Sequence, residues 1–113
     1  MQERTTRRFE AQEVAKAAAA DVLRLLARVQ GPYGDLADQT RRAATSAALN
    51  LAEGAGRSGK ARLNHYRIAY GSAREAGTAL ELLVGAGAVA EKDAVQALHK
   101  LDRVRAMLWR LTH

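Results

Sequence analysis

LADQTRRAATSAALNLAEGAGRSGKARLNHYRIAYGSAREAGTALELL, residues 36 to 83, carries two apolar stripes of helical period on either side of a glycine-rich break. Leu36, Thr40, Ala43, Ala47 and Leu51 recur at three- and four-residue spacing, the signature of one helix face. Most of these side chains are small, so a neighbouring helix is expected to approach closely. The spacing predicts a helix over 36–53, and the cluster Gly54, Gly56, Ser58 and Gly59 is read as its end. A second helix, over about 60–84, follows. Its stripe is Leu63, Tyr66, Tyr70, Ala73, Gly77, Leu80 and Val84, flanked by Ala69, Ala76 and Leu83. Gly71 and Gly77 fall inside it, each costing about 1 kcal/mol relative to alanine. Close helix crossing at these two glycines is the expected compensation.

Working outward, Ala15, Ala18, Val22, Leu25, Leu26 and Val29 mark a helix over about 8–30, stopped by Gly31-Pro32. Asp35 is the expected N-cap of the next helix, with its carboxylate accepting an orphan amide. Gly85 and Gly87 close the third helix. Ala94, Leu98, Leu101, Val104, Leu108 and Leu111 then mark a fourth over about 91–111, with Trp109 outside the stripe. Connections of about five to seven residues between long amphipathic helices favour antiparallel neighbours. The expectation is a single all-α domain over 1–113, an antiparallel up-down-up-down four-helix bundle.

The 113 residues include no cysteine, which excludes disulfides and thiolate metal sites. No apolar run approaches the ~20 residues that span a bilayer. The opening MQERTTRRFE lacks the apolar stretch of a secretory leader. A cytoplasmic protein without membrane attachment is expected. The formal charge is +6, from 18 Lys plus Arg against 12 Asp plus Glu. Between positions 41 and 74, Arg41, Arg42, Arg57, Lys60, Arg62, Arg67 and Arg74 face a single acid, Glu53, which accounts for the whole excess. A basic concentration of this kind attracts polyanions.

Catalytic chemistry finds little to use. Residues 54 to 61, GAGRSGKA, read as a phosphate-binding loop with its last position spoiled: Ala61 has no hydroxyl for Mg²⁺. The segment also follows a helical pattern where such a loop needs a strand. His65, His99 and His113 fit no metal-ligand spacing, and Ser46, Ser58 and Ser72 have no His–Asp partner set. No enzyme activity, cofactor or metal is expected.

A polar set remains inside the middle helices. Ser46, Asn50 and Glu53 share one face of the second, and Ser72 and Glu75 are neighbours on the third. Meeting across the interface, with Arg42 or Arg57 supplying charge, they would form a satisfied network that fixes helix register.

The run RRAATSAALNLAEGAGR, 41 to 57, resembles the signature of the 23S rRNA intervening-sequence family, roughly R-x-A-x-S-[aliphatic]-x-x-N-[IL]-A-E-G-x-x-R. Arg42, Ala44, Ser46, Ala47, Asn50, Leu51, Ala52, Glu53, Gly54 and Arg57 fill it. A second motif, an aromatic followed by IA-x-GS-x-x-E, is matched by Tyr66, Ile68, Ala69, Gly71, Ser72 and Glu75. Ala47 stands where a larger aliphatic residue is usual, and Tyr66 where phenylalanine is common. The resemblance implies an up-down-up-down bundle and assembly as a ring of five. Related proteins, the accessory variability determinants of diversity-generating retroelements, are basic pentamers that bind nucleic acid and a reverse transcriptase. No enzyme activity is implied.

The expected function is therefore a homo-oligomer, a pentamer by that resemblance, which binds RNA or DNA backbone through Arg41, Arg57, Lys60, Arg62, Arg67 and Arg74. The alternative is a scaffold or accessory subunit that docks a protein, a reverse transcriptase by the same resemblance, with Trp109, Tyr33 or Tyr70 as anchors.

Overall fold

The computed structural model describes residues 3–113, with the side chains of the first two of these left aside. Four helices, α1 (Glu3–Leu25), α2 (Gly34–Ala55), α3 (Gly59–Gly85) and α4 (Glu91–Thr112), pack into an elongated bundle of 45 × 22 × 21 Å. There is no strand among the described residues. Touching pairs across α2 and α3 run Gln39–Glu75, Ser46–Ser72 and Asn50–His65, in opposite sequence order. Asp21 of α1 meets Lys100 of α4, and Tyr70 of α3 meets Trp109 of α4.

The first helix ends earlier than its apolar stripe suggests. After Leu25 the chain tightens into i to i+3 bonds, with Ala27 donating to Arg24 and Val29 to Leu26. Leu26 stays fully buried and Val29 half-buried, so the stripe outlasts the helix. Gly31, at φ 69°, makes the reversal that a side chain would resist. A 3-10 turn over Gly31–Tyr33 then runs straight into α2. This displaces Asp35 from the N-cap: Gly34 is already helical, Tyr33 holds the cap position, and no side chain caps the end. Asp35 sits instead in the first turn, where its charge favours the positive end of the helix dipole.

The break between α2 and α3 is only Gly56 to Ser58, shorter than the sequence suggests. Gly54 belongs to α2 and does not end it. A Cβ built there would lie 2.7 and 2.9 Å from ring carbons of Tyr66 and 3.1 Å from the Cβ of His65. The close approach of the two middle helices is therefore at Gly54. At Gly71 and Gly77 a Cβ would meet nothing within 4 Å, so the crossing expected there is absent. Gly71→Ala should accordingly stabilise the fold by about 0.5–1 kcal/mol, the helix-propensity difference alone. A urea midpoint that rises with an unchanged slope checks this.

Alanine dominates the core. Ala43, Ala44, Ala47 and Ala48 of α2 and Ala69, Ala73 and Ala76 of α3 are buried. This makes α2 and α3 the most extensive helix pair. Bulk comes from a few side chains, chiefly Val22, Leu26, Leu51, Leu80, Leu83, Val104 and Leu108. Thr40 is fully buried, and its hydroxyl donates to the Leu36 carbonyl at 2.7 Å, which removes the cost of enclosing it.

Candidate nucleic-acid interface

Lys60, Arg67 and Arg74 recur every seven residues along α3. At ~1.5 Å rise per residue they are about 10 Å apart on nearly one line of the helix. All three are exposed, and none has an ion-pair partner among the described residues. Tyr70 lies three residues after Arg67 and four before Arg74, so it shares that face. The Arg74 guanidinium lies 5.9 Å from the centre of the Tyr70 ring. Trp109 of α4 reaches Tyr70 at 6.0 Å between centroids, and His113 stacks on Trp109 at 3.4 Å. Arg105 completes the margin. Its guanidinium donates to Asp102 at 2.9 and 3.2 Å, which raises its pKa further and fixes its position beside Tyr70. Exposed cations interleaved with aromatic faces are the elements of a surface that follows a nucleic-acid backbone and stacks bases.

The other basic residues singled out in the sequence have different surroundings. Arg41 faces α1, where it donates to the Leu26 carbonyl at 2.6 Å and pairs with Asp38. It closes the C-terminal end of α1 and lies off the α3 line. Arg62 is half-buried, and its Nε donates to the Gly54 carbonyl at 3.3 Å, near the end of α2. Each guanidinium is a second donor to a carbonyl at the negative end of a helix, beside Val29 N at Leu26 and Arg57 N at Gly54. Arg57 is exposed and bonded to Glu53 at 2.6 and 3.1 Å. That hydrogen bond, with the guanidinium charge, holds the Glu53 carboxyl below its usual range.

The polar set divides. Ser46 and Ser72 meet across the helices at 2.9 Å, and the Asn50 amide donates to the Ser46 carbonyl at 3.0 Å and to its hydroxyl at 3.1 Å. The chain continues to a residue the sequence did not mark, His65, whose Nδ1 lies 3.0 Å from Asn50 Oδ1. Because the amide nitrogen must face the Ser46 carbonyl, Oδ1 faces the imidazole. His65 Nδ1 therefore carries the proton and donates it. Glu53 and Glu75 stand outside this chain: Glu53 turns to Arg57, and Glu75 accepts from Gln39 at 3.4 Å. Arg42 is exposed and takes no part. Tyr33 is half-buried, with its hydroxyl donating to the Ala86 carbonyl at 3.5 Å.

The family model described as 23S rRNA-intervening sequence protein matches residues 7–110. The chain belongs to that family. The match spans all four helices, so the bundle as a whole is the shared unit. No curated protein matches the chain. In this member of the family the two sequence motifs face one another: Ser46 and Asn50 of the first meet Ser72 of the second and His65 just before it. The spoiled phosphate loop is accounted for as well. Its first glycine lies inside α2 against Tyr66, and among the described residues no strand precedes it. Among the described residues no helix is long and apolar enough to cross a membrane.

Proposed function

We propose that this protein is a cytoplasmic, non-enzymatic homo-oligomer, an antiparallel up-down-up-down bundle that binds RNA or DNA backbone through the exposed face of α3. The observation that carries this reading is the line Lys60, Arg67 and Arg74, without acid partners among the described residues, beside Tyr70 and Trp109. The cations contact phosphates and hold a strand without reading its sequence. The opposite order of touching residues supports the antiparallel arrangement. Exposed Leu49, Ile68 and Leu82 on α2 and α3 support self-association, and a pentamer is the state that light scattering should find for the 12.2 kDa chain.

Three phosphate contacts to a single strand imply a log–log salt slope of roughly −2, or about a 20-fold loss of affinity per subunit between 50 and 200 mM salt. Fluorescence anisotropy with a labelled oligonucleotide reads this directly. Replacing Lys60, Arg67 and Arg74 together by glutamine should remove most of the slope. Affinity indifferent to salt, or unchanged in the triple variant, would overturn the reading. The alternative, a scaffold or accessory subunit that docks a protein such as a reverse transcriptase, draws on the same exposed Leu49, Ile68 and Leu82 and on Trp109. Stoichiometric recovery of one partner after nuclease treatment, with no nucleic-acid binding by the pure protein, would favour it.

A further inference from the structure

A cavity of about 300 Å³ lies where α1 and α3 begin and α4 ends, lined by Arg8, Gly59, Arg62, Leu63, Tyr66 and Leu111. Among the described residues its charged walls are two arginines, and no acid lines it. Tyr66 is 98% buried by its 2% exposure, and its hydroxyl has no hydrogen-bond partner. It is the only buried side-chain polar atom left so among the described residues. Enclosing a hydroxyl without a partner costs about 1–3 kcal/mol, so a site that keeps one calls for a ligand to meet it. Burial pushes the Tyr66 phenol up, against the pull of the Arg8 and Arg62 charges, so at neutral pH the group is a donor. Among the described residues Arg8 donates only to Thr5 Oγ1, at 3.3 Å, and Arg62 spends only its Nε on Gly54. Gly59 brings the first turn of α3 into the wall. That turn carries no acid, and the Ser58 side chain does not cap it. Its amides add partial positive charge of the kind that holds phosphate at helix N-termini.

The polar side chains that line this cavity among the described residues, Arg8, Arg62 and Tyr66, are all donors with capacity to spare. We propose that the cavity is a phosphate-binding pocket in which Arg8, Arg62 and the Tyr66 hydroxyl hold one tetrahedral phosphate group, free or at the end of a strand. Leu63 and Leu111 supply the apolar part of the wall. The pocket is separate from the α3 line: Lys60, Arg67 and Arg74 do not line it.

The test is thermal unfolding and titration calorimetry with inorganic phosphate at neutral pH, against sodium chloride of equal ionic strength. Phosphate should raise the melting temperature of the wild-type protein where chloride does not. Tyr66→Phe removes only the orphan oxygen, so it should melt above wild type in chloride while its phosphate affinity falls about 10-fold or more, the worth of a hydrogen bond to a charged group. Arg8→Gln should lose phosphate binding, whereas the glutamine variant at Lys60, Arg67 and Arg74 should keep it. Tighter binding of a 5′-phosphorylated oligonucleotide than of its 5′-hydroxyl twin, lost in Tyr66→Phe, assigns the phosphate to a strand end. Equal binding of the twins, with phosphate binding intact, assigns it to a small phosphate. A wild-type protein indifferent to phosphate, or Tyr66→Phe and Arg8→Gln variants that bind it unchanged, would overturn the proposal.

Discussion

Gly54→Ala will destabilise the bundle by about 2 kcal/mol, although alanine is the better helix former. The added methyl would stand 2.7 and 2.9 Å from ring carbons of Tyr66, well inside contact distance, and 3.1 Å from His65 Cβ. Neither neighbour yields cheaply. The Tyr66 ring is enclosed, and the His65 Cβ is fixed to the α3 backbone. The overpacking term therefore falls at the upper end of its range, about 3 kcal/mol, and less the gain of about 1 kcal/mol in propensity it leaves a net loss of about 2 kcal/mol. In a domain of this size the melting temperature should drop by roughly 6–10 °C. The opposite sign expected of Gly71→Ala makes the pair a control for each other. A Gly54→Ala variant as stable as wild type would show that α2 and α3 do not meet as described.

Leu80→Ala should cost more, about 3–4 kcal/mol. Leu80 is fully buried at 0% exposure in a core made mostly of alanine. Few neighbours are large enough to lean into the space it leaves, so the cavity would persist and its cost with it. Against a total stability of about 5–15 kcal/mol, that is a large share. Chemical denaturation gives the value. Leu82→Ala, two residues on and 57% exposed, should stay within about 0.5 kcal/mol and serves as the comparison. An equal loss at both positions would contradict the burial pattern.

Much of the fold is legible in the residues because helical period, small-residue stripes and breakers are local signals. The four apolar stripes locate four helices, and the seven-residue recurrence of Lys60, Arg67 and Arg74 is visible without coordinates. What escaped is set by contacts between distant segments. Gly54 reads as a breaker because a glycine under an aromatic ring looks the same in sequence as a glycine in a turn. Gly71 and Gly77 read as crossing points for the same reason. Arg41 and Arg62 read as surface charge, and only the packing reveals the carbonyls of Leu26 and Gly54 that they serve. Asp35 loses the cap because the 3-10 turn before it has already begun the helix. His65 joins Asn50 only once the register of α2 against α3 is known, and the unpartnered Tyr66 hydroxyl has no sequence signal.

The three-residue link between α2 and α3 bears on how the chain reaches its native state. Joining the most extensive helix pair through so short a loop makes the entropic cost of closure small, so this hairpin is the natural nucleus. The pairing of α1 with α4 brings together segments some seventy-nine positions apart, as at Asp21 and Lys100, and belongs to a later stage. Substitutions in the α2–α3 seam will therefore slow refolding, whereas those between α1 and α4 will mainly hasten unfolding.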